Sequence, residues 1–126
     1  MKKVIHTERA PKAVGPYSQA VSTGNLLFTA GQVAIDPATG KLVEGGIREQ
    51  TRRVMENLKA ILMEAGTDFS KVVKSTVFLQ DIKNFSDFNQ VYAEYFPSEP
   101  PARSTFQVGA LPLGAMVEIE IIALLG

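Results

Sequence analysis

The chain has 126 residues, 45% of them hydrophobic, enough for one domain with a packed core and too few to leave much room for a second. Lys and Arg total 13, as do Asp and Glu, so the formal net charge is zero; a nucleic-acid binder, which draws its affinity from neutralising phosphate, is expected to carry a basic excess. There is no Cys, which excludes disulfides, thiolate nucleophiles and thiolate metal sites.

The basic N-terminus has no apolar run long enough for a signal peptide, and Lys3 to His6 reads as a short edge strand. Ala10-Pro11 and Gly15-Pro16 break regularity, so Ala10 to Pro16 is a loop leading into Tyr17. Ser18 to Thr23 runs to a turn at Gly24-Asn25. Leu26 to Ile35 then reads as one strand on its apolar and β-branched content. After a turn over Asp36 to Gly40, Ile47, Thr51, Val54, Leu58, Ile61, Leu62 and Ala65 recur at helical spacing. Gly66 stands where a left-handed helix cap belongs.

Val72 to Gln80 is a strand. A second helix, from about Phe85 to Phe96, buries Phe85, Phe88, Tyr92 and Tyr95 and stops at Pro97. Ser98 to Pro101 is a stiff linker. Two closing strands, Arg103 to Val108 and Ala115 to Leu124, are joined by a turn over Gly109 to Gly114. The apolar run Ile121 to Leu125 is far too short to cross a bilayer, and a cytoplasmic protein is expected.

Short strands with two helices predict a single α+β domain over residues 1–126, with the helices on one face of the sheet. In the last strand Val117, Ile119, Ile121 and Ala123 share one wholly apolar face. Met116, Glu118, Glu120, Ile122 and Leu124 share the other, charged early and apolar late. A helix-covered sheet needs only one apolar face, so the second points to burial against another subunit or at a pocket rim.

Common catalytic motifs do not fit. Gly40-Lys41 lacks the first glycine and the hydroxyl of a phosphate-binding loop, and Gly109 to Gly114 lacks the following lysine. No Gly-x-Ser-x-Gly elbow is present, and the single histidine, His6, lies near the N-terminus. Glu118 and Glu120 have no third ligand beside them, so no metal is expected. Pro100-Pro101 instead pre-set an extended approach to Arg103, whose guanidinium is suited to gripping a carboxylate with two parallel hydrogen bonds. The bland alternative is an ion pair to Glu118 or Glu120 on the adjacent strand, and residue types alone favour it. Glu118, set among apolar neighbours, is either a base of raised pKa or an outward-facing strand residue. Tyr17 either covers a pocket or packs in the core. Gly31 marks close backbone approach to something, or a bulge.

Gly15-Pro16-Tyr17-Ser18-Gln19-Ala20, Thr29-Ala30-Gly31-Gln32, Asn89-Gln90-Val91-Tyr92, Pro101-Ala102-Arg103-Ser104 and Val117-Glu118-Ile119-Glu120 occur in the order and spacing of the Rid family. The chain resembles this YjgF-like group of reactive intermediate deaminases over nearly its whole length. The Pro-Ala-Arg motif is similar to that of the enamine/imine deaminase branch. The resemblance implies a chorismate-mutase-like α+β fold and a homotrimer with a central β-barrel, with three pockets between neighbouring subunits. It implies hydrolysis of 2-iminopropanoate and 2-iminobutanoate, released by pyridoxal-phosphate-dependent dehydratases, to 2-oxo acids and ammonia, without cofactor or metal.

By the same resemblance Arg103 binds the substrate carboxylate and Glu118 positions the attacking water. Tyr17 packs beside the substrate, Gly31 and Thr105 contribute backbone groups, and Asn89 supports the pocket from the helix side. Ala30 and Thr105 stand where many relatives carry Ser and Cys, so neither a hydroxyl nor a thiol there is part of this chemistry. The family also carries reports of endoribonuclease activity, of translation inhibition and of ligand binding without catalysis. Zero net charge counts against RNA, whereas a 2-oxo acid sensor would need the same Arg103.

Overall fold

The computed structural model describes residues 1–126. In chain order its strands are β1 (Lys2–Ile5), β2 (Ala20–Thr23), β3 (Leu26–Thr29), β4 (Ile35–Asp36) and β5 (Lys41–Leu42). Helix α1 (Ile47–Glu64), β6 (Val72–Leu79), α2 (Phe85–Ala93), β7 (Ala102–Gln107) and β8 (Val117–Leu124) follow. Six strands form one sheet in the order β1-β2-β3-β8-β6-β7, and β4 and β5 form a separate ribbon. Every pair in the large sheet is antiparallel except β6 and β7, which run parallel because α2 lies in the connection between them. No helix is long and apolar enough to cross a membrane.

The helical periodicity of α1 becomes its buried stripe, with Val54, Leu58, Ile61 and Leu62 all fully buried. At its start the Glu49 carboxylate accepts a hydrogen bond from the Gly46 N–H at 2.8 Å, which holds that carboxyl below its ordinary range. At its end Gly66 takes φ 83°, its N–H bonding to Met63 O while Thr67 N–H reaches Leu62 O. That pair of bonds satisfies carbonyls the helix leaves open.

Helix α2 ends at Ala93, short of the expected Phe96. Its last turn tightens into bonds from Glu94, Tyr95 and Phe96 back to the third residue before each, and Phe96 remains buried. Arg52 grips Glu94 through two bonds of 3.1 and 3.2 Å, and Tyr95 donates to Glu56 at 2.8 Å. Burial, and then that bond, push the Tyr95 phenol up to about 12. These contacts fix the lie of α2 against α1.

The structure also corrects two expectations about the sheet. Leu26 to Ile35 is not one strand. At Thr29 the side-chain hydroxyl accepts the Ile121 N–H at 3.0 Å, Ala30 N–H turns to Gln19 O, and only Gln32 pairs with β8 again, through Ile119. Val33 and Ala34 are buried off the sheet, where the Asn57 side-chain amide of α1 donates to the carbonyls of Val33 and Ile35 at 3.3 and 2.9 Å. Burial, rather than a strand ladder, accounts for the apolar composition there.

Nor are the two closing strands neighbours. β6 lies between β7 and β8, because a parallel partner brought round by α2 takes the position a hairpin would have filled. The alternation of β8 holds as expected. Val117, Ile119, Ile121 and Ala123 are buried beneath the helices, while Glu118, Glu120, Ile122 and Leu124 share the opposite face. On that open face Val4, Val21, Phe28 and Ile122 stand in register across four strands, and Phe78 stacks on Phe106 with 6.4 Å between centroids.

Candidate active site

Arg103 lies opposite Ser75 in the parallel β6–β7 register, on the helix side of the sheet. Its guanidinium donates to Asn89 Oδ1 of α2 at 2.8 Å. The guanidinium carbon lies 4.9 Å from the ring centre of Tyr92, 5.3 Å from Phe85 and 5.6 Å from Phe88. Three ring faces therefore hold the cation by their negative quadrupoles. Tyr92 is itself anchored, its hydroxyl 2.6 Å from Ser75 Oγ, and burial pushes its phenol up, so the ring stays neutral. The cleft in front, about 780 Å³, is lined by Phe85, Asn89, Tyr92, Pro100, Pro101 and Arg103.

The ion pair favoured by residue types is not formed. Glu118 and Glu120 point from the other face of the sheet, with β6 between their strand and that of Arg103. Arg103 is in no salt bridge of the chain. Its charge is positioned by an amide and aromatic rings, none of which neutralises it.

Glu118 occupies a second cleft, of about 630 Å³, with Tyr17, Ala30, Gly31, Val33 and Leu113. Burial, reinforced by the charge of Glu120, raises its pKa above the ordinary 4.5, and no hydrogen bond within the chain offsets this. The backbone excursion at Thr29 to Gly31 makes room for the carboxylate. A Cβ placed on Gly31 would lie 2.8 Å from the Glu118 carboxyl carbon, so the close approach that glycine marked is to Glu118.

Five of the six residues singled out in the sequence thus fall into two groups. Arg103 and Asn89 share one cleft, Tyr17, Gly31 and Glu118 share the other, and Thr105 lines neither. Thr105 follows Arg103 by two positions on β7, an edge strand with one side unpaired in the chain.

Other contributors were not legible as such. Phe85, Phe88 and Tyr92 read as a buried helix face and also serve as the platform for Arg103. Gln19, 2% exposed, donates through Nε2 to the carbonyls of Thr7, Ala10 and Pro11 and accepts from Thr7 N–H at 2.7 Å. It thereby fixes the loop that delivers Tyr17. A polar residue beside a strand start carries no periodic signal of such a role.

The family model described as endoribonuclease L-PSP matches residues 7–125. The 2-iminobutanoate/2-iminopropanoate deaminase of Bos taurus is 50% identical over 126 residues, covering 100% of this chain and 92% of that protein. The Rid-family protein YyfA of Yersinia pestis has a similar crystal structure, with a TM-score of 0.97, 51% identity, and coverage of 99% of this chain and 100% of that one. E. coli TdcF with bound serine gives a TM-score of 0.94 at 40% identity, covering 98% and 99%. Family model, relatives and structures agree over almost the whole length, and the chain belongs to the Rid family.

Proposed function

We propose that the protein is a cytoplasmic imine deaminase that hydrolyses 2-iminopropanoate and 2-iminobutanoate to 2-oxo acids and ammonia, at sites shared between neighbouring copies of a homotrimer. The observation that carries this reading is the separation of the two groups. One chain presents an uncompensated cation in one cleft and a desolvated carboxylate in another, on opposite faces of its sheet. Copies packed head to tail, with the β7 edge of one chain against the open face of the next, would bring Arg103 of one to Glu118 of the other. The stripe of Val4, Val21, Phe28 and Ile122 supports that face as the contact, closing the sheets into a central barrel. The names of the relatives, one a deaminase of these imines and one a structure with bound serine, agree with a small α-amino or α-imino acid as ligand.

In this reading Arg103 holds the substrate carboxylate through two charge-assisted bonds, Asn89 and the aromatic rings keep the guanidinium in place, and Thr105 offers a backbone group beside it. Tyr17 and Gly31 flank the imine. Glu118 takes a proton from water as its oxygen attacks the carbon of the protonated imine, giving a neutral carbinolamine. Glu118 returns that proton to the nitrogen, the C–N bond breaks as the C=O bond forms, ammonia leaves, and the hydroxyl proton passes to Glu118 and from it to ammonia or solvent. The raised pKa suits both halves of the cycle, making Glu118 a stronger base and allowing it to return the proton. Glu118 and Glu120 on one face would repel phosphate, which favours this reading over one with an RNA substrate.

Coupling the purified protein to a threonine dehydratase and timing ammonia release tests the activity; ligand binding without acceleration would mean a sensor. The shared site has its own test. Arg103→Ala and Glu118→Gln chains are expected to be inactive separately. When co-assembled in equal amounts, roughly a quarter of the sites should regain both groups. A mixture as inactive as its parents, with both chains folded and mixed, would refute sites shared between copies. Gly31→Ala is expected to displace the Glu118 carboxylate and lower kcat/KM about 10²-fold, the usual effect of misplacing a reacting group by an ångström. Steady-state kinetics on the variant checks this.

A further inference from the structure

The turn before β8 contains a residue that suits its position poorly. Leu113 adopts φ 60° and ψ 18°, a left-handed conformation that glycine takes freely and residues with a Cβ resist. The residue is also 67% exposed. A glycine would relieve the backbone, and a polar residue would be better hydrated, so a leucine here is unfavourable on both counts. Residues held in such conformations cluster at ligand sites. Leu113 lines the cleft that holds Glu118, and two more exposed apolar side chains, Val14 and Tyr17, line it as well.

We infer that Leu113 and Val14 form the wall that selects the substrate by its side chain, admitting alkyl groups and excluding acidic ones. The inference rests on the deaminase reading above. With the carboxylate on Arg103 and the reacting carbon beside Glu118, the substrate side chain is the part left to meet the apolar rim. Each methylene seated on such a wall changes kcat/KM by about 10-fold or more.

The test uses the full chain and imines generated in situ from alanine, leucine and glutamate by an amino-acid oxidase, with imine decay followed for each. Leu113→Gly suits the backbone and removes the side chain. It is expected to lower the leucine-to-alanine ratio of kcat/KM about 10-fold. Leu113→Lys is expected to raise the glutamate-to-alanine ratio by a similar factor. A merely structural role would change all substrates in proportion, so unchanged ratios in both variants would overturn the inference. Failure of the unmodified chain to hydrolyse any imine would overturn the deaminase reading as well, and is recognisable because it precedes any substitution.

Discussion

Arg103→Ala should lower kcat/KM for 2-iminobutanoate by about 10²–10⁴-fold, the loss of two charge-assisted bonds of roughly 1.5–3 kcal/mol each. The protein should remain folded. The guanidinium is in no internal ion pair, so its removal leaves no buried carboxylate without a partner. What it loses structurally is one bond to Asn89 and its contact with three rings. Steady-state kinetics beside a thermal melt separates the two effects. Turnover near that of the unmodified chain would refute carboxylate binding by Arg103.

Glu118→Gln should be about 10²–10⁴-fold slower, having lost its base, yet more stable at neutral pH. The sign follows from the raised pKa. Folding favours protonated Glu118, so its stabilising contribution is present below the ordinary 4.5 and is lost as pH rises through the higher folded value. At neutral pH the ionised carboxylate is therefore a cost, which glutamine removes. Melting temperatures of the two proteins should differ at neutral pH and converge below 4.5. In the unmodified enzyme the acid limb of kcat/KM should likewise lie above 4.5. A variant less stable than its parent at neutral pH would show that desolvation is not what governs this group.

The parts of the fold legible in sequence are those set by local patterns. Helix α1 follows from the recurrence of Val54, Leu58 and Ile61 and from its Gly66 cap, and β8 from strict alternation. The break after Thr29 was hidden because a threonine hydroxyl replaces a backbone group in the ladder, leaving composition unchanged. The insertion of β6 between β7 and β8 is a pairing of residues far apart in sequence, and no local signal encodes it. The site shows the same division. Arg103 was visible through the prolines before it, whereas its freedom from Glu118 depended on strand order. The cradle of Phe85, Phe88 and Tyr92 was hidden because an aromatic that supports a cation and one that fills a core have the same spacing.

Phe28 and Phe106 lie open to solvent on the sheet face opposite the helices, 36% and 52% exposed. A freshly synthesised chain therefore displays apolar patches on either side of Glu118 and Glu120, of the kind that chaperones and proteases recognise. If the homotrimer proposed above covers that face, the lifetime of an unassembled chain is set by how soon it meets its partners.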